Sequence, residues 1–406
     1  MVTKLIVTKL ILLIASIATI GEAWTPIGSV YNLPSISNIK IADKEYVIWR
    51  KERYELVVQD NVCKHRLAPL SEGRITGNCI ECGYHGWKYN DKGKCINIPQ
   101  EDKFIENKEG YSIANYKTKV TGDILWACLD NKIDKIDKID TDEVLMNSDV
   151  PYIREVPYSW NYLLENFFDP AHIPFAHHGM QSYRNDASSI PINLEKFNKD
   201  ELVISFKDVT AGNKRHGKIV YKAPYIYKLY KQKSYKTQSD KTQSYKTQSD
   251  KDDWENDLTI LCVPITAGRS RVFMCYDKRK QPKFMKDGMS ESKMTESKMT
   301  ESKMRKNAHV MSNKFFNTDD YLVHKQEINH RKGYKYNMPT ESDEGIRILN
   351  RWLKRYYPDW IYSNSASANT NARKNLIELS KEEALDNYNN HIKNCKDCKE
   401  YYDNLN

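Results

Sequence analysis

Hydrophobic and polar residues alternate in several short stretches of the first third of the chain, and this period of two predicts β-strands. Turn-forming residues, such as those of Asp91-Lys92-Gly93, separate the stretches. The pattern predicts four strands, at 45–49, 54–58, 88–89 and 122–129. We therefore expect residues 24–130 to form a small all-β domain.

A second group of strand patterns lies beyond residue 200. These strands are predicted at 201–206, 218–221, 258–263 and 271–276, and together they favour a larger antiparallel sheet. Residues 345–358 instead place apolar side chains at helical spacing, at Ile346, Leu349, Trp352 and Leu353. This spacing predicts an amphipathic helix that closes a second domain, residues 146–365, of α+β type.

Three low-complexity blocks interrupt these patterns. They are KIDKIDKID at 132–140, pentads containing KTQS at 236–250, and pentads such as TESKM at 290–304. A polar repeat of three or five residues matches no buried face of a helix or strand, so we interpret the blocks as solvated insertions in loops. The first block falls in a predicted linker at 131–145, and residues 366–406 are expected to form a C-terminal tail.

The N-terminal residues 1–23 contain an apolar run from Leu10 to Ile20. This run is too short for a transmembrane helix but suits the core of a signal peptide, and Gly21-x-Ala23 offers a small-residue cleavage site. The pentapeptide VTKLI also occurs twice, at 2–6 and 7–11. A duplicated extension without a targeting role is therefore the alternative interpretation.

Composition indicates a soluble protein with two or three domains. The chain has 406 residues and a net charge of +9, and its mean hydropathy is −0.73. The excess of lysine is spread through the repeats and surface-like segments, so we expect no nucleic-acid partner. Nine cysteines in so long a chain do not suggest the disulfide framework of a small secreted protein, and a reducing compartment is expected instead.

Four potential metal ligands occur in one short segment, as Cys63-x-His65 and Cys82-x-x-His85. Two thiolates and two imidazoles can close a tetrahedral zinc site. They can also hold a [2Fe-2S] cluster, with both cysteines on one iron and both histidines on the other. The spacing alone permits either site.

The residues around these ligands bear on the choice between zinc and a cluster. Cys79 lies three residues before Cys82, so a zinc site made of this pair with Cys63 and His65 is an alternative. The second ligand pair continues as Gly83-Tyr84-His85-Gly86-Trp87, whose glycines permit a tight loop over a cluster. The segment resembles the Rieske pattern CxH…CxxHGW, and this resemblance implies a [2Fe-2S] cluster in an all-β Rieske domain.

A second constellation of histidines lies in the block NYLLENFFDPAHIPFAHHGM, residues 161–180. Asp169 followed by Pro170 is typical of a helix N-cap with proline in the first helical position. His172 then lies in the first turn, and His177 follows roughly 140° further round an ideal helix. A kink or wide turn at Pro174 is needed to bring both imidazoles to one side. Two histidines leave a non-haem Fe(II) one carboxylate short.

This block resembles the D-x-x-H-x-x-x-x-H motif of Rieske non-haem iron oxygenases, and in particular the pheophorbide a oxygenase and chlorophyllide a oxygenase group. The resemblance implies an iron site made by His172, His177 and a later carboxylate. By its position in the chain His178 is the alternative partner of His172, but the spacing favours His177. It implies that Asp169 connects a cluster histidine of a neighbouring subunit to an iron-ligand histidine. It also implies that the second domain is a helix-grip catalytic domain.

The third iron ligand is expected in residues 309–327, which resemble the carboxylate-bearing helix of the same group. We choose Asp319, with Asp320 as the alternative.

Near the C-terminus, Cys395 and Cys398 form a C-x-x-C that fits a redox pair, a fragment of a zinc site or an accident of a lysine-rich tail. The group resemblance implies a redox pair addressed by thioredoxin.

The predicted function is that of a terminal oxygenase with a [2Fe-2S] cluster and a mononuclear Fe(II), acting on O2 and a chlorophyll-derived tetrapyrrole. Its expected partners are a ferredoxin-like electron donor, steered by Lys88, Lys92 and Lys94, and two further copies of itself in a homotrimer. Its expected location is the cytoplasm or the plastid stroma, including the periphery of a photosynthetic membrane. The alternative is an electron-transfer or redox-sensing protein that resembles the Rieske component of the chloroplast import machinery.

Overall fold

The computed structural model describes residues 24–51, 55–103, 110–129, 145, 149–208, 215–232, 254–275, 301–357 and 376–405. The chain divides into two compact units. The first unit comprises Met1–Ile153, Asp277–Arg279 and His391–Asn406, and the second comprises Arg154–Tyr276 and Lys280–Asn390. The predicted N-terminal extension and the blocks at 132–140 and 236–250 lie outside the described residues.

The described residues of the first unit form ten short strands in two antiparallel sheets. They are β1 (Trp24–Ser29), β2 (Ile36–Ile41), β3 (Lys44–Lys51), β4 (Glu55–Asp60), β5 (Arg74–Thr76), β6 (Cys79–Glu81), β7 (Lys88–Asn90), β8 (Cys95–Asn97), β9 (Asn115–Thr121) and β10 (Ile124–Cys128). Six of them form a sheet in the order β1-β10-β9-β4-β3-β2, and the other four form a sheet in the order β5-β6-β7-β8. All four strands predicted in this region are present.

A shared core and a buried polar link hold these two sheets together. Val47, Trp49 and Val57 of the larger sheet pack with Ile80 and Tyr89 of the smaller one, and all five are buried. The Trp49 indole donates to the side chain of Gln59 at 3.0 Å, and the Gln59 amide donates to the Asn90 carbonyl at 2.8 Å. Because these groups are buried, their hydrogen bonds fix the small sheet against the large one.

The second unit is built on an antiparallel sheet in the order β11-β17-β16-β15-β14-β13-β12. Its strands are β11 (Tyr152–Val156), β12 (Ile192–Phe197), β13 (Glu201–Asp208), β14 (Arg215–Lys222), β15 (Ile226–Gln232), β16 (Trp254–Thr266) and β17 (Arg269–Cys275). Its helices are α1 (Trp160–Phe167), α2 (Ile173–Ala176), α3 (Glu301–Arg331), α4 (Glu344–Tyr356), α5 (Lys381–Ala384) and α6 (Asn387–Asn390), and a further helix, α7 (Lys396–Asp403), belongs to the first unit.

The predictions for the second unit agree with its elements. The four predicted strands correspond to β13, β14, β16 and β17, each longer by one to several residues because strand ends on a sheet surface carry little apolar signal. The predicted amphipathic helix is α4, and its Leu349, Trp352 and Leu353 are fully buried. The fold class is thus confirmed as α+β. No helix in the described part of the chain is long and apolar enough to cross a bilayer.

The prediction that residues 290–304 form a loop insertion is wrong for its last four residues. Helix α3 already begins at Glu301, inside the final repeat. Glutamate, lysine and methionine all favour helix, and the carboxylate of Glu301 lies 3.6 Å from the Arg305 guanidinium one turn later. The rest of that block lies outside the described residues.

Buried polar contacts hold helix α3 in place. Arg154 of β11 lies fully buried, and its guanidinium donates two hydrogen bonds to one carboxylate oxygen of Asp320, at 2.7 and 3.0 Å. Two turns further on, Glu327 accepts hydrogen bonds from the backbone and hydroxyl of Ser159, at 2.7 and 2.5 Å. These contacts fix the rotation of α3 about its axis, and so decide which side of it faces α1.

Candidate metal centres

Two loops of the first unit carry the four predicted cluster ligands, and both are closed by the same backbone bonds. The Cys63 amide donates to the Ala68 carbonyl at 2.9 Å, and the Leu67 amide donates back to Cys63 at 3.0 Å. In the second loop the Cys82 amide donates to Trp87 at 2.8 Å, and the Gly86 amide donates back to Cys82 at 3.0 Å. The residue four positions after each cysteine has a positive φ, 61° at Leu67 and 75° at Gly86.

The cysteines and histidines of these loops lie in different environments. Cys63 and Cys82 are 1% and 2% exposed, whereas His65 is exposed and His85 is half-buried. The two imidazole rings lie 4.4 Å apart between centroids. Two buried sulfurs and two outer nitrogens are the donor set of a [2Fe-2S] cluster whose histidine-bound iron is at the surface.

Tyr89 on strand β7 supports the inner side of this donor set. Its hydroxyl accepts a hydrogen bond from the Lys64 amide at 3.0 Å and lies 3.3 Å from the sulfur of Cys63. A phenol that accepts from the amide can still donate its own proton, and the sulfur lies within its reach. Burial raises the pKa of the Cys63 thiol, while the contact with Tyr89 opposes the rise. Sequence reasoning missed Tyr89, because the tyrosine lies four residues beyond the last ligand.

The geometry argues against the zinc alternative at this place. Among the residues that the structure describes, no three of Cys63, His65, Cys79, Cys82 and His85 bring their ligand atoms to one point. Cys79 sits in β6 opposite Asn90 of β7. A single tetrahedral zinc ion needs such convergence, whereas a cluster needs two separate pairs.

Three side chains of the second unit do converge on one point. They are His172, His177 and Asp319, and their ligand atoms all lie within 4.8 Å of one another. The two Nε2 atoms are 3.3 Å apart, and Asp319 Oδ2 lies 3.3 Å from His177 Nε2 and 3.9 Å from His172 Nε2. Two imidazoles and one carboxylate on one side of an ion form the facial triad of non-haem Fe(II) oxygenases.

The local fold explains how two histidines five residues apart meet. The Asp169 carboxylate accepts from the Ala171 amide at 2.9 Å and caps a single 3-10 turn, Pro170–His172. The chain then enters helix α2, with Pro174 near its start. This change of helix type at His172 turns both imidazoles to the same side, as the kink prediction requires.

Each histidine has its Nδ1 held by an acceptor. His172 Nδ1 lies 2.5 Å from the backbone carbonyl of Asp169, and His177 Nδ1 lies 2.8 Å from the Thr318 hydroxyl. That hydroxyl donates to the Phe315 carbonyl at 2.6 Å, so it accepts from His177. Both Nε2 atoms therefore carry lone pairs that can bind metal. Sequence reasoning missed Thr318, although its place beside Asp319 is a usable signal.

Burial sets the charge state of these groups. It lowers the pKa of His177 to about 4, with a further contribution from His172, so this imidazole is neutral at pH 7. Burial also raises the pKa of Asp319 to about 6, against the opposing effects of His172 and of a hydrogen bond from the Asn166 side chain. Burial disfavours the ionised form of Asp319, and a cation bound beside the carboxylate would stabilise that form.

The surroundings of Asp320 and His178 differ from those of the triad. Asp320 is fully buried, and Arg154 and Tyr158 hydrogen-bond to its two oxygens. His178 is exposed, and its Nδ1 accepts from the Arg184 amide at 3.2 Å. Neither side chain is in the group that converges with His172.

The other predicted residues occupy distinct places. Asp169 caps the 3-10 turn, and its carboxylate lies 3.9 Å from His172 Nδ1. Lys92 and Lys94 are exposed, whereas Lys88 is half-buried and its ammonium lies 3.2 Å from Glu81. Cys395 and Cys398 are buried in the first unit, at 3% and 6% exposure.

The sequence of this chain is similar to that of a known domain family and of known plant proteins. Residues 23–117 match the family of the Rieske [2Fe-2S] domain. Over 94% of its length the chain is 27% identical to pheophorbide a oxygenase of Oryza sativa, of which it covers 73%. It is 26% identical to flavonoid 8-hydroxylase 2 of Ocimum basilicum over 93% of this chain and 72% of that one.

Two further similarities concern part of the chain or its fold. Protein TIC 55 of Pisum sativum is 32% identical over 162 residues, which are 38% of this chain and 29% of the pea protein. In structure, a mutant of NdmA from Pseudomonas putida with theobromine superposes with a TM-score of 0.58 over 85% of this chain and 94% of that one. At 17% identity this superposition shows a shared fold.

Proposed function

We propose that this chain, which is a Rieske [2Fe-2S] non-haem iron oxygenase, oxygenates a chlorophyll-derived tetrapyrrole of the pheophorbide a or chlorophyllide a class. The observation that carries the proposal is the convergence of His172, His177 and Asp319 in a chain that also presents two buried cysteines and two outer histidines. The similarity to pheophorbide a oxygenase over most of the chain supports the substrate class.

Cys63, Cys82, His65 and His85 are the residues that fit the [2Fe-2S] cluster, and His172, His177 and Asp319 are those that fit the mononuclear iron. When bound, the first centre supplies single electrons and the second activates O2. The chain itself determines the state of the ligands. Hydrogen bonds at Nδ1 hold His172 and His177 as neutral ligands, and Asp319 supplies the one negative charge.

We also propose that Asp169 connects the two centres across a subunit boundary of a homotrimer. Its backbone carbonyl already holds His172, and its side chain, 28% exposed, keeps acceptor capacity. The exposed ring of His65 on the surface of another copy is a suitable donor to that carboxylate. Substituting Asp169→Asn should slow electron transfer from cluster to iron while leaving both metal contents unchanged.

The electron donor is proposed to be a small acidic protein of the ferredoxin type. Lys92 and Lys94 are exposed beside strand β7, and opposite charges accelerate encounter between two proteins. Lys88 is half-buried and paired with Glu81, so we expect it to contribute less to this surface. A plastid location is proposed because the plant relatives described above are chloroplast proteins.

The test is a single-turnover reaction with the reduced holoenzyme, pheophorbide a or chlorophyllide a, and isotopically labelled O2. We expect one labelled oxygen atom in the tetrapyrrole product, and none with the Asp319→Asn variant. A flavonoid is tested in parallel, because the basil relative is a flavonoid 8-hydroxylase. Turnover of the flavonoid alone would keep the oxygenase and overturn the substrate class.

A protein that only transfers or senses electrons is the second candidate, favoured by the similarity to TIC 55. Such a protein needs the cluster but has no use for a facial triad. Reduced holoenzyme that consumes no O2 with any pigment, while its cluster is reoxidised by an external acceptor, would favour this candidate.

A further inference from the structure

A third group of metal-binding side chains lies at the C-terminal end of the first unit. We propose that His391, Cys395 and Cys398 are three ligands of a zinc ion that is separate from both iron centres. Their ligand atoms lie within 4.8 Å of one another, and the three residues are only 2%, 3% and 6% exposed. None of the three belongs to the cluster loops or to the facial triad.

The distance between two of these ligands fits a shared ion. His391 Nε2 lies 3.4 Å from the sulfur of Cys398. In a tetrahedral zinc site with Zn–N near 2.0–2.1 Å and Zn–S near 2.3 Å, the nitrogen and sulfur are about 3.5 Å apart. Two thiolates and an imidazole are soft donors that suit zinc better than magnesium or calcium.

The histidine is oriented for this role by its other nitrogen. His391 Nδ1 lies 2.7 Å from the backbone carbonyl of Ile153, to which it donates its proton. Nε2 then carries the lone pair, and it is the atom that faces Cys398. The ring also lies against Tyr152, at 4.5 Å between centroids. Zinc-binding histidines are typically fixed by a carbonyl in this way.

The backbone around the two cysteines is held rigidly in the first unit. A 3-10 turn, Ile392–Asn394, separates His391 from Cys395, and helix α7 begins directly after Cys395. The Lys396 amide donates to the Asn32 side chain at 3.0 Å, and the Tyr31 hydroxyl donates to Asp397 at 3.2 Å. Both partners lie in the connection between β1 and β2. A zinc ion would therefore brace a C-terminal segment that these hydrogen bonds attach to the β1–β2 connection.

The same observations disfavour a redox pair addressed by thioredoxin. A disulfide reductase must reach one sulfur, and reactive cysteines are partly exposed. Here both cysteines are buried, Cys395 at the N-cap of α7 and Cys398 in its first turn. Zinc binding needs no oxidant, because the two thiols each release a proton to water as the metal binds and no atom changes its oxidation state.

The test measures zinc in the purified full-length holoenzyme, with zinc and iron counted per chain by mass spectrometry. We expect about one zinc per chain, and its loss in the single variants Cys398→Ser and His391→Gln. Two control variants, Cys128→Ser and Asp319→Asn, should keep it, because the first removes a buried thiol elsewhere and the second removes an iron ligand. Zinc retained in all variants, or lost equally in the controls, overturns the proposal.

Two measurements on the unmodified protein cover the case in which the variants fail to fold. X-ray absorption at the zinc edge should show at least two sulfurs near 2.3 Å and nitrogen near 2.0–2.1 Å. Alkylation of Cys395 and Cys398 should accelerate more than tenfold when a zinc chelator is added. Absence of zinc, or a Cys395–Cys398 disulfide in the protein as isolated, contradicts the assignment. Neither readout depends on oxygenase activity.

Discussion

Two neighbouring aspartates on helix α3, Asp319 and Asp320, provide the sharpest test of the iron site. Both are buried, and each can be changed to the nearly isosteric asparagine. Asp319 lies 3.3 Å from His177 Nε2, whereas Asp320 accepts two hydrogen bonds from Arg154. We expect the two substitutions to change the stability of the iron-depleted protein in opposite directions.

Asp319→Asn should stabilise the protein from which the mononuclear iron has been removed. Burial raises the pKa of Asp319 from 3.8 to about 6, and this shift is equivalent to about 3 kcal/mol. A raised carboxyl pKa means that the folded state binds the proton more tightly, so this cost is fully present above pH 6 and disappears below pH 3.8. At pH 7 the variant should therefore gain up to about 3 kcal/mol, while it loses the iron ligand.

Burial raises the pKa of Asp320 as well, but Asp320→Asn should have the opposite effect, because it breaks the buried ion pair with Arg154. It leaves the Arg154 guanidinium fully buried without its carboxylate, although Asn313, Asn317 and Asn387 still accept from it. Breaking a buried ion pair on one side typically costs about 3–5 kcal/mol. Iron should still bind to whatever fraction of this variant remains folded, because Asp320 is not among the converging ligands.

The assay is urea unfolding of chelator-treated protein at pH 7, followed by a signal from the second unit, together with iron per chain before treatment. The cluster absorbance serves as an internal control, since both substitutions lie in the second unit and the cluster ligands lie in the first. The reasoning is refuted if Asp319→Asn retains mononuclear iron, or if both substitutions lower the free energy of unfolding by similar amounts.

Three further predictions concern the supporting residues. Tyr89→Phe removes the hydroxyl beside Cys63. It should lower the reduction potential of the cluster by about 40 mV, the equivalent of one hydrogen bond of about 1 kcal/mol. An unchanged potential in protein-film voltammetry would show that the phenol proton does not reach the sulfur. Thr318→Val removes the acceptor of His177 Nδ1 and should weaken iron binding 10–100-fold, as measured by competition with a chelator. The control variant Thr118→Val, on strand β9, should leave iron binding unchanged. Iron affinity should fall about tenfold per pH unit below pH 6, where Asp319 becomes protonated; a flat profile from pH 7 to pH 5 would exclude the carboxylate as a ligand.

Local order determines part of the geometry of the predicted ligands. Cys63, His65, Cys82 and His85 lie in two short loops, and the spacing within each loop keeps its cysteine and histidine close together. The N-cap at Asp169 and the bend near Pro174 are also local features, and both are present. Strand positions were predictable because the alternation of side chains repeats every two residues.

The sequence could not decide matters that depend on contacts between distant segments. Asp319 and Asp320 are neighbours of the same type, and partners from distant segments distinguish their surroundings, His177 for Asp319 and Arg154 for Asp320. The sequence did not predict that α3 starts inside a polar repeat, because the helix-forming residues of that repeat show no apolar face at helical spacing. The sequence alone does not identify His391 as a metal ligand beside Cys395 and Cys398, because the orientation of its ring depends on a hydrogen bond to the distant Ile153 carbonyl.

The two cluster loops are each closed by a pair of backbone hydrogen bonds. The side chains of Arg66 and Tyr84 take no part in these bonds, and they lie beside the histidines with the guanidinium 5.8 Å from the centre of the phenol ring. Evolution can therefore exchange these two residues to recognise a different redox partner while the sulfur and nitrogen positions stay unchanged. One metal-binding frame can serve many electron-transfer routes.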